Sequence, residues 1–404
     1  MINLAIIFDS FEKGGGGFYQ SLATVKLSKY INQSNIKKIY FCTSKTAQKI
    51  LKSHGIESRL IQINFFEKLL NKFDKIDFFS LILKKIKFRN SIHKISENDK
   101  IDLFYFLGPS DLVNLIKNNE KSNFMINIWD INHKINTYFP EYKSVETYNF
   151  KERILKKTVN NAYKIIVNSQ RALEDMKIYY NCNENKISIM PFRTPLPEIY
   201  ENKSKEYFDE IFKKLNIEKK NKIFFYPAQF WPHKNHIYLL DALKDLLEYS
   251  KNFNLILTGD NKGNLDLIRK KINQNKLEKN VKILNFLNVD EIISIYKNCD
   301  ALVMPTYVAR TTLPLLEALY FKIPIFYSKN ILDSEYAKYV KEFDLNRPNE
   351  LTEILKDFIQ NPQKYENSII DGFKFYQNIS DQNKAIMNLN KILDKYIYLS
   401  SRWK

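Results

Sequence analysis

Short apolar runs alternate with segments of mixed polar and apolar residues along most of the chain. In the first half these runs span residues 3–8, 38–42, 102–107, 123–128, 164–167 and 187–190. Their apolarity is continuous rather than alternating, which is typical of strands that helices cover on both faces of a parallel sheet. The pattern therefore predicts a succession of β/α units.

A proline-rich segment separates this series from a second one. Residues 191–197 hold three prolines in seven positions. The pattern then restarts, with apolar runs at 222–226, 253–257, 281–285, 301–304 and 323–327. We expect an α/β protein with two doubly wound, Rossmann-like domains. The predicted domains are 1–197 and 198–384, with a last helix at about 385–404 that packs back on the first domain.

Composition narrows the class of protein. The 404 residues carry a formal net charge of +18, an excess that attracts nucleic acid, anionic lipid or phosphorylated substrates without choosing among them. Cys42, Cys182 and Cys299 are isolated thiols, which argues against disulfides and a zinc site. No apolar run approaches the roughly 20 residues that cross a bilayer, and residues 1–4 enter a strand without a secretory signal pattern. We therefore expect a globular, cytoplasmic protein.

Four of the nine glycines are consecutive, at 14–17. They follow the first predicted strand and precede a helix that begins near residue 18, where an α/β fold brings backbone amides and a helix N-terminus to an anionic ligand. This position favours a phosphate-binding turn. The alternative is a flexible connection, because the spacing is neither GxGxxG nor GxxxxGK[ST].

The first strand of the second series leads into a loop that contains Lys234. Pro232 interrupts any helix there, so Lys234 lies just before the next helix begins, in a position to bind a phosphate. The alternative is an ordinary lysine at a helix start. We interpret His233 and His236 as surface or capping residues, because no carboxylate or Cys partner supports a metal motif.

A third strand-loop-helix segment, at 304–319, contains a single acidic residue, Glu317. It is the only charge between Arg310 and Lys322 and has apolar neighbours, so its carboxylate is placed to accept two ribose hydroxyls. The alternative is a first-turn Glu that the helix dipole favours.

Residues 227–236 (PAQFWPHKNH) and 305–326 (PTYVARTTLPLLEALYFKIPIF) together resemble the retaining, nucleotide-sugar-dependent glycosyltransferases of the GT-B class, family 4, also called glycosyl transferases group 1. The glycine turn is similar to the family's first loop, and residues 129–133 (WDINH) to its acceptor-domain histidine segment. The resemblance implies a GT-B fold, with two domains that face a central cleft, the first binding the acceptor and the second the donor.

The resemblance also implies roles for single residues. Lys234 matches the lysine that binds the donor diphosphate, and Glu317 matches the second Glu of the E-x7-E motif, which holds the ribose. His133 matches the histidine near the donor sugar and the reaction centre. These three residues form the predicted catalytic set.

Two positions depart from the family pattern. Ala309 stands where a Glu usually contacts the donor sugar, and Gln229 replaces an Arg. Arg310 is placed to restore the missing phosphate charge; the alternative is an exposed loop arginine. The predicted donor-binding set is Gly15, Gly16, Gly17, Gln229, Lys234, Arg310, Thr311, Thr312, Leu313 and Glu317.

The predicted reaction needs neither a cofactor nor a metal. The sequence has no DxD pair, so Lys234, Arg310 and backbone amides of the glycine turn and near Thr312 are expected to stabilise the departing nucleoside diphosphate. The family implies retention at the anomeric carbon by front-face attack. The expected donor is a UDP- or GDP-sugar, and the acceptor a glycan or lipid-linked glycan of bacterial surface polysaccharide, namely capsule, O-antigen or lipooligosaccharide.

Other functions stay open. A sugar-nucleotide epimerase or an inactive GT-B homologue is compatible with Ala309, which removes a commonly functional group. An RNA-binding protein is the less favoured alternative, because the basic residues are dispersed and no RNA-binding motif occurs. We therefore expect no nucleic acid partner.

Residues 65–94 interleave aromatic residues with lysines, with eight basic residues against three acidic. This composition suits a segment lying on an anionic membrane surface. The alternative is a helix packed on the sheet with its lysines in solvent. The first interpretation places the enzyme peripherally on the inner face of the cytoplasmic membrane.

Overall fold

The computed structural model describes residues 1–9, 15–32, 34–63, 67, 90–116, 123–308 and 313–402, and the chain forms two compact units. The first unit comprises Met1–Ile135, Lys143–Arg193 and Asp381–Lys404. The second comprises Asn136–Tyr142 and Thr194–Ser380. After the short excursion at Asn136–Tyr142, the chain passes from the first unit to the second between Arg193 and Thr194, within the proline-rich segment.

A parallel sheet forms the centre of the first unit. Its strands are β1 (Ile2–Phe8), β2 (Ile36–Cys42), β3 (Arg59–Leu60), β4 (Leu103–Phe106), β5 (Asn123–Asn127), β6 (Lys164–Val167) and β7 (Ile187–Ile189). They are ordered β3-β2-β1-β4-β5-β6-β7. The described helices are Gly16–Ser28, Lys45–Ser53, Ser91–Asn98, Asn132–Ile135, Val145–Asn161, Gln170–Tyr180 and Gln382–Ser400. Short 3-10 helices lie at Asp111–Leu115 and Glu184–Lys186.

Both faces of this sheet are covered, which explains the continuous apolar runs. In β1, Ala5 and Ile7 pack into one core cluster, while Leu4 and Ile6 pack into another on the opposite face. All four side chains have no exposed surface. The interpretation of these runs as strands of parallel β/α units is confirmed.

The C-terminal helix Gln382–Ser400 belongs to the first unit. Its Leu389 and Leu393 lie in the same core cluster as Leu22 and Val25. The Tyr396 hydroxyl donates a hydrogen bond of 2.6 Å to the Asp102 carbonyl. Apolar packing and this hydrogen bond fix the end of the chain on the unit in which the chain begins.

The second unit repeats the architecture. Its strands are β8 (Lys222–Pro227), β9 (Phe253–Thr258), β10 (Val281–Leu284), β11 (Ala301–Met304), β12 (Ile325–Ser328) and β13 (Lys341–Phe343). They are ordered β10-β9-β8-β11-β12-β13, again parallel. The helices are Leu196–Glu201, Lys205–Lys214, His236–Tyr249, Leu265–Gln274, Val289–Asn298, Leu313–Phe321, Ser334–Ala337, Glu350–Gln360 and Glu366–Ile379. Short 3-10 helices lie at Pro232–Lys234 and Pro362–Tyr365, and the helix Pro140–Lys143 begins in this unit.

The strand order places a topological switch point in each sheet. β1 lies between β2 and β4, and β8 lies between β9 and β11. The connections that leave β1 and β4 run to opposite sides, as do those that leave β8 and β11, which opens a crevice at the carboxyl ends of each pair where α/β proteins bind ligands. The loops after β1, β4, β8 and β11 are therefore the places to look for a site.

The proposed membrane segment falls mostly outside the described residues. Of residues 65–94, the structure describes Glu67 and 90–94. Glu67 is buried and accepts hydrogen bonds from the Ser91 amide, at 2.7 Å, and from its hydroxyl, at 2.9 Å. Within the described ranges, no helix combines the length and the apolar character that crossing a bilayer requires.

Candidate functional site

The loop after β8 presents an uncapped helix N-terminus beside a lysine. Lys234 ends the 3-10 helix and is half-buried, and Asn235 then adopts a left-handed conformation with φ 54°. The helix that begins at His236 has no side-chain cap and no acidic residue in its first turn. Its amides and its dipole are thus free of internal negative charge, which suits an anion such as a phosphate.

A buried polar atom without a partner lies at this helix start. The Nδ2 atom of Asn235 has no hydrogen-bond partner among the described residues. Burial, together with the charge of Lys234, lowers the pKa of His236 to about 3, so its ring is neutral. An amide group that can donate hydrogen bonds therefore stands unpaired beside Lys234 at the switch point.

Neither histidine of this loop is a surface residue, so the surface half of that interpretation is wrong. His236 is fully buried against the rings of Tyr226 and Phe230, at centroid distances of 4.8 and 5.2 Å. His233 is also buried, and its ring Nδ1 pairs with Glu141 Oε1. Helix packing, which the linear sequence does not display, places both rings inside the unit.

Hydrogen bonds join the loop after β8 to the loop after β11. The Tyr307 amide and the Thr306 hydroxyl donate to the His233 carbonyl at 3.0 and 3.3 Å. The His233 amide in turn donates to Glu141 Oε1 at 3.1 Å. The two loops on either side of the switch point are thus held together as one surface.

A glycine also brings the end of β9 against this loop. Gly259 has φ +154°, and a Cβ atom there would lie 2.7 Å from the Gln229 Cα. Gln229 itself is half-buried, and its side-chain oxygen accepts a hydrogen bond of 3.1 Å from the Trp231 indole. Only glycine allows the β9 end to approach so closely.

Glu317 lies in the helix Leu313–Phe321, which opens with the buried Leu313. The first turn of this helix contains no acidic residue, so the explanation of Glu317 as a dipole-favoured first-turn Glu is wrong. The carboxylate is 7% exposed and accepts a hydrogen bond of 2.9 Å from the Thr194 hydroxyl. Burial raises the pKa of Glu317 to about 7, against the opposing effect of hydrogen bonds from Thr194 and Tyr296.

Part of the predicted donor loop lies outside the described residues: Ala309, Arg310, Thr311 and Thr312. The compensation between Gln229 and Arg310 therefore stays a prediction. The segments that carry Lys234 and Glu317 are neighbours in the fold, because β8 and β11 are adjacent strands and hydrogen bonds connect the loops that follow them.

In the first unit, both the backbone conformation and the packing of the turn require glycine. Gly15 has φ 87°, and the helix that follows it has no side-chain cap and no acid in its first turn. A Cβ atom at Gly17 or at Gly108 would lie 2.4 Å from the Trp129 ring. The indole thus packs directly on two backbone segments, and the turn stays compatible with an anion at Gly15 and Gly16.

Asp9 is a candidate that the sequence interpretation missed. It directly follows β1, and its carboxylate accepts hydrogen bonds from the hydroxyls of Thr43, at 2.8 Å, and Ser110. Burial raises its pKa despite these bonds. Its position in the sequence, as the first polar residue after the central strand, could have indicated it as a candidate site residue.

His133 is fully buried at the carboxyl end of the β5 segment. Its Nε2 lies 3.0 Å from Glu152 Oε1, and the same oxygen accepts the Tyr180 hydroxyl. Burial lowers the pKa of His133, and the nearby Lys151 charge adds to that effect. Sequence reasoning did not single out Glu152 or Tyr180, because nothing in the linear pattern connects them to His133.

The comparisons with known proteins agree with this architecture. Residues 208–375 match the family model described as Glycosyl transferases group 1. No curated protein sequence matches the chain. Among solved structures, HepE of Anabaena in complex with UDP-glucose is similar, with a TM-score of 0.74 and 15% identity over 98% of this chain and 100% of that one. A glycosyltransferase from Rickettsia africae has a TM-score of 0.69 and 16% identity over 98% of each chain.

A protein of different activity shares the fold. UDP-GlcNAc 2-epimerase of Neisseria meningitidis, bound to UDP-GlcNAc, has a TM-score of 0.59 and 12% identity over 98% of this chain and 100% of that one. The fold is therefore GT-B, and it does not by itself select an activity. The group 1 match does: residues 208–375, most of the second unit, are a glycosyltransferase domain, and the protein is a glycosyltransferase. Both the predicted fold class and the predicted enzyme class are confirmed.

Proposed function

We propose that this protein is a retaining, metal-independent glycosyltransferase of family 4 that transfers a sugar from a UDP- or GDP-sugar to a glycan or lipid-linked glycan. The observation that supports it most is the helix start at the second switch point, where Lys234 adjoins uncompensated amides and the unpaired Asn235 Nδ2. A diphosphate is the ligand whose charge and hydrogen-bonding capacity match that set.

The proposed chemistry assigns the strongest stabilisation to the leaving group. As the sugar–phosphate bond breaks, negative charge accumulates on the nucleoside diphosphate, and Lys234 and the helix amides are proposed to stabilise that charge. Arg310, Thr311, Thr312 and the glycine turn are proposed to add donors. Glu317 is proposed to accept the ribose hydroxyls, and bound hydroxyl donors would favour its ionised form.

The first unit is proposed to bind the acceptor, which belongs to bacterial capsule, O-antigen or lipooligosaccharide synthesis. Peripheral binding to the inner face of the cytoplasmic membrane through residues 65–94 is part of the same proposal. The excess of basic residues in that segment supports it.

A thermal-shift panel of UDP, GDP, ADP and CMP tests the donor site. We expect stabilisation by UDP or GDP, with UDP-glucose as the first sugar nucleotide because HepE was solved with it. The Lys234→Ala variant should lose the shift, and Lys244→Ala, an exposed lysine on the following helix, should keep it. No shift with any nucleotide would contradict the proposal.

A sugar-nucleotide epimerase is the second candidate, because the Neisseria epimerase shares the fold. Analysis of the products from a bound sugar nucleotide separates the two. A transferase releases the nucleoside diphosphate, whereas an epimerase returns a sugar nucleotide with inverted configuration at one carbon. An inactive homologue does neither while still binding the nucleotide.

A further inference from the structure

A short segment, residues 136–142, packs with the second unit although the chain on either side of it belongs to the first. The helix Pro140–Lys143 begins in this segment, and its first turn carries Glu141. The side chain of Glu141 is only 5% exposed. The segment thus brings a buried carboxylate into the unit that contains Lys234.

The Glu141 carboxylate holds one residue at two places. Its Oε1 atom accepts a hydrogen bond of 3.1 Å from the His233 main-chain amide. The ring Nδ1 of the same histidine pairs with the same oxygen. A carboxylate oxygen accepts hydrogen bonds, so the ring donates from Nδ1. Hydrogen bonds to a carboxylate are stronger than those between neutral groups, so the main chain and the ring of His233 are fixed together.

Three aromatic rings pack around the His233 ring. The Tyr142 ring lies nearly parallel to it, at a centroid distance of 5.7 Å and an interplanar angle of 24°. The Trp231 ring, at 6.4 Å and 21°, is also nearly parallel, and the Phe139 ring meets it edge-on at 6.0 Å. Tyr142 and Phe139 belong to the same segment as Glu141. The segment therefore holds His233 by packing as well as by hydrogen bonds.

These contacts fix the main chain directly before Lys234. Glu141 holds the His233 amide, and the His233 carbonyl accepts two hydrogen bonds from the loop after β11. Asn235, on the other side of Lys234, has φ 54°, which is uncommon for a residue other than glycine. A loop of this shape persists when the surrounding structure holds it.

The second oxygen of Glu141 indicates a role other than stability. Its Oε2 atom is buried and has no hydrogen-bond partner in the described part of the chain. A buried acceptor without a partner destabilises a fold, and departures from good packing chemistry of this kind are expected at functional sites. The carboxylate is explained by what it holds, which is the residue next to Lys234.

We propose that Glu141 is a positioning residue for the donor diphosphate, because through His233 it holds the loop that presents Lys234 and the amides of the following helix. This inference rests on the proposed function, which assigns the diphosphate to that loop. A loop that is already ordered loses less conformational entropy when the ligand binds. A change at Glu141 should therefore weaken binding of a nucleoside diphosphate and spare binding of the nucleoside, which has no phosphate.

Hydrogen–deuterium exchange of the full-length protein tests the loop without any ligand. Glu141→Leu removes the acceptor, whereas Glu141→Gln keeps one acceptor oxygen. In peptides that cover residues 231–237 we expect faster exchange in Glu141→Leu and a smaller increase in Glu141→Gln. The same substitutions at Glu146, an exposed glutamate on the next helix, should leave exchange unchanged. Wild-type exchange in both Glu141 variants would overturn the inference.

Calorimetric titration with UDP and with uridine then tests the link to the phosphates. The Kd for UDP should rise about tenfold in Glu141→Leu and about threefold in Glu141→Gln, as expected for loss or weakening of a hydrogen bond to a charged group. The Kd for uridine should stay unchanged in both variants. If Glu141→Leu does not fold, Glu141→Gln alone decides. GDP and guanosine take the place of UDP and uridine if the thermal-shift panel selects GDP.

The outcomes separate this inference from the proposed function. An unchanged Kd for UDP in the Glu141 variants, or an equal loss for uridine, would overturn the inference alone. Failure of the wild type to bind UDP, GDP, ADP or CMP would overturn the proposed function and, with it, the role of Glu141 in diphosphate binding. Partial recovery in Glu141→Gln relative to Glu141→Leu, confined to UDP, would support positioning through the acceptor oxygen.

Discussion

The two switch points have the same strand order but different side chains beside their helix starts. At the second, the central strand β8 leads to Lys234 and to a helix start without acidic residues. At the first, the central strand β1 leads to the half-buried carboxyl group of Asp9, and the glycine turn is packed under Trp129. Both helix starts lack a side-chain cap and a first-turn acid, so both offer amides to an anion, but among the described residues only the second adds a lysine beside them. Topology thus places a crevice, and the loop residues decide what it binds.

Removal of the Lys234 side chain should have the largest effect at the second switch point. Lys234→Ala should reduce sugar transfer by about 100- to 1,000-fold, because a cation at the developing diphosphate charge contributes only in that state and not to the core. Steady-state kinetics measure the loss, and the melting temperature should stay near that of wild type. Lys244→Ala is the matched control. Transfer at the wild-type rate in Lys234→Ala would show that the second switch point is not the donor site.

The buried Glu317 makes stability at the second switch point depend on pH. Its pKa rises from 4.5 in the unfolded chain to about 7 in the fold, so the folded state binds more protons between those values. This contribution is fully present below pH 4.5 and is lost as pH rises through 7, amounting to about 3 kcal/mol. Urea unfolding at pH 5 and pH 8 measures it.

Glu317→Gln provides the comparison for that experiment, because it keeps the shape and removes the titration. The difference in unfolding free energy between wild type and variant should change in the stated direction across this window. A difference that stays constant from pH 5 to pH 8 would mean that the Glu317 carboxylate is stabilised in some other way.

At the first switch point, the expected effect is on packing. Gly17→Ala places a methyl group where the Trp129 ring lies 2.4 Å away, so we expect a loss of about 1–3 kcal/mol in unfolding free energy. Denaturant melts of Gly17→Ala, Trp129→Ala and the double variant form a cycle. The double variant should be more stable than the sum of the single effects predicts. Strictly additive effects would show that a side chain at residue 17 does not interact with the Trp129 ring.

The smallest expected effect concerns metal ions. If Lys234 and the helix amides neutralise the leaving group, transfer should continue at an unchanged rate in EDTA. The described residues contain no group of three or more His, Cys, Asp and Glu side chains suited to a metal. Inhibition by EDTA that Mn²⁺ reverses would assign the charge stabilisation to a cation and would weaken the contrast between the two switch points.

Much of the architecture could be predicted from the linear pattern. Continuous apolar runs predicted the central strands to within about two residues, because strands covered on both faces exclude polar side chains. The short edge strands β3 and β13 were missed, since Arg59–Leu60 and Lys341–Phe343 carry polar residues in runs too short to stand out. An edge strand has one unpaired side and tolerates such residues.

The linear sequence is enough to predict the alternation of strands and helices, the glycine turn after β1, the loop that carries Lys234 and the strand-loop-helix segment that carries Glu317. These features depend on neighbours along the chain, through side-chain periodicity and backbone conformation. The folded structure is needed to see that Trp129 packs on Gly17, that His233 and His236 are buried, and that Glu152 contacts both His133 and Tyr180. Burial and hydrogen-bond partners depend on which distant segments the fold brings together, and no local pattern encodes that.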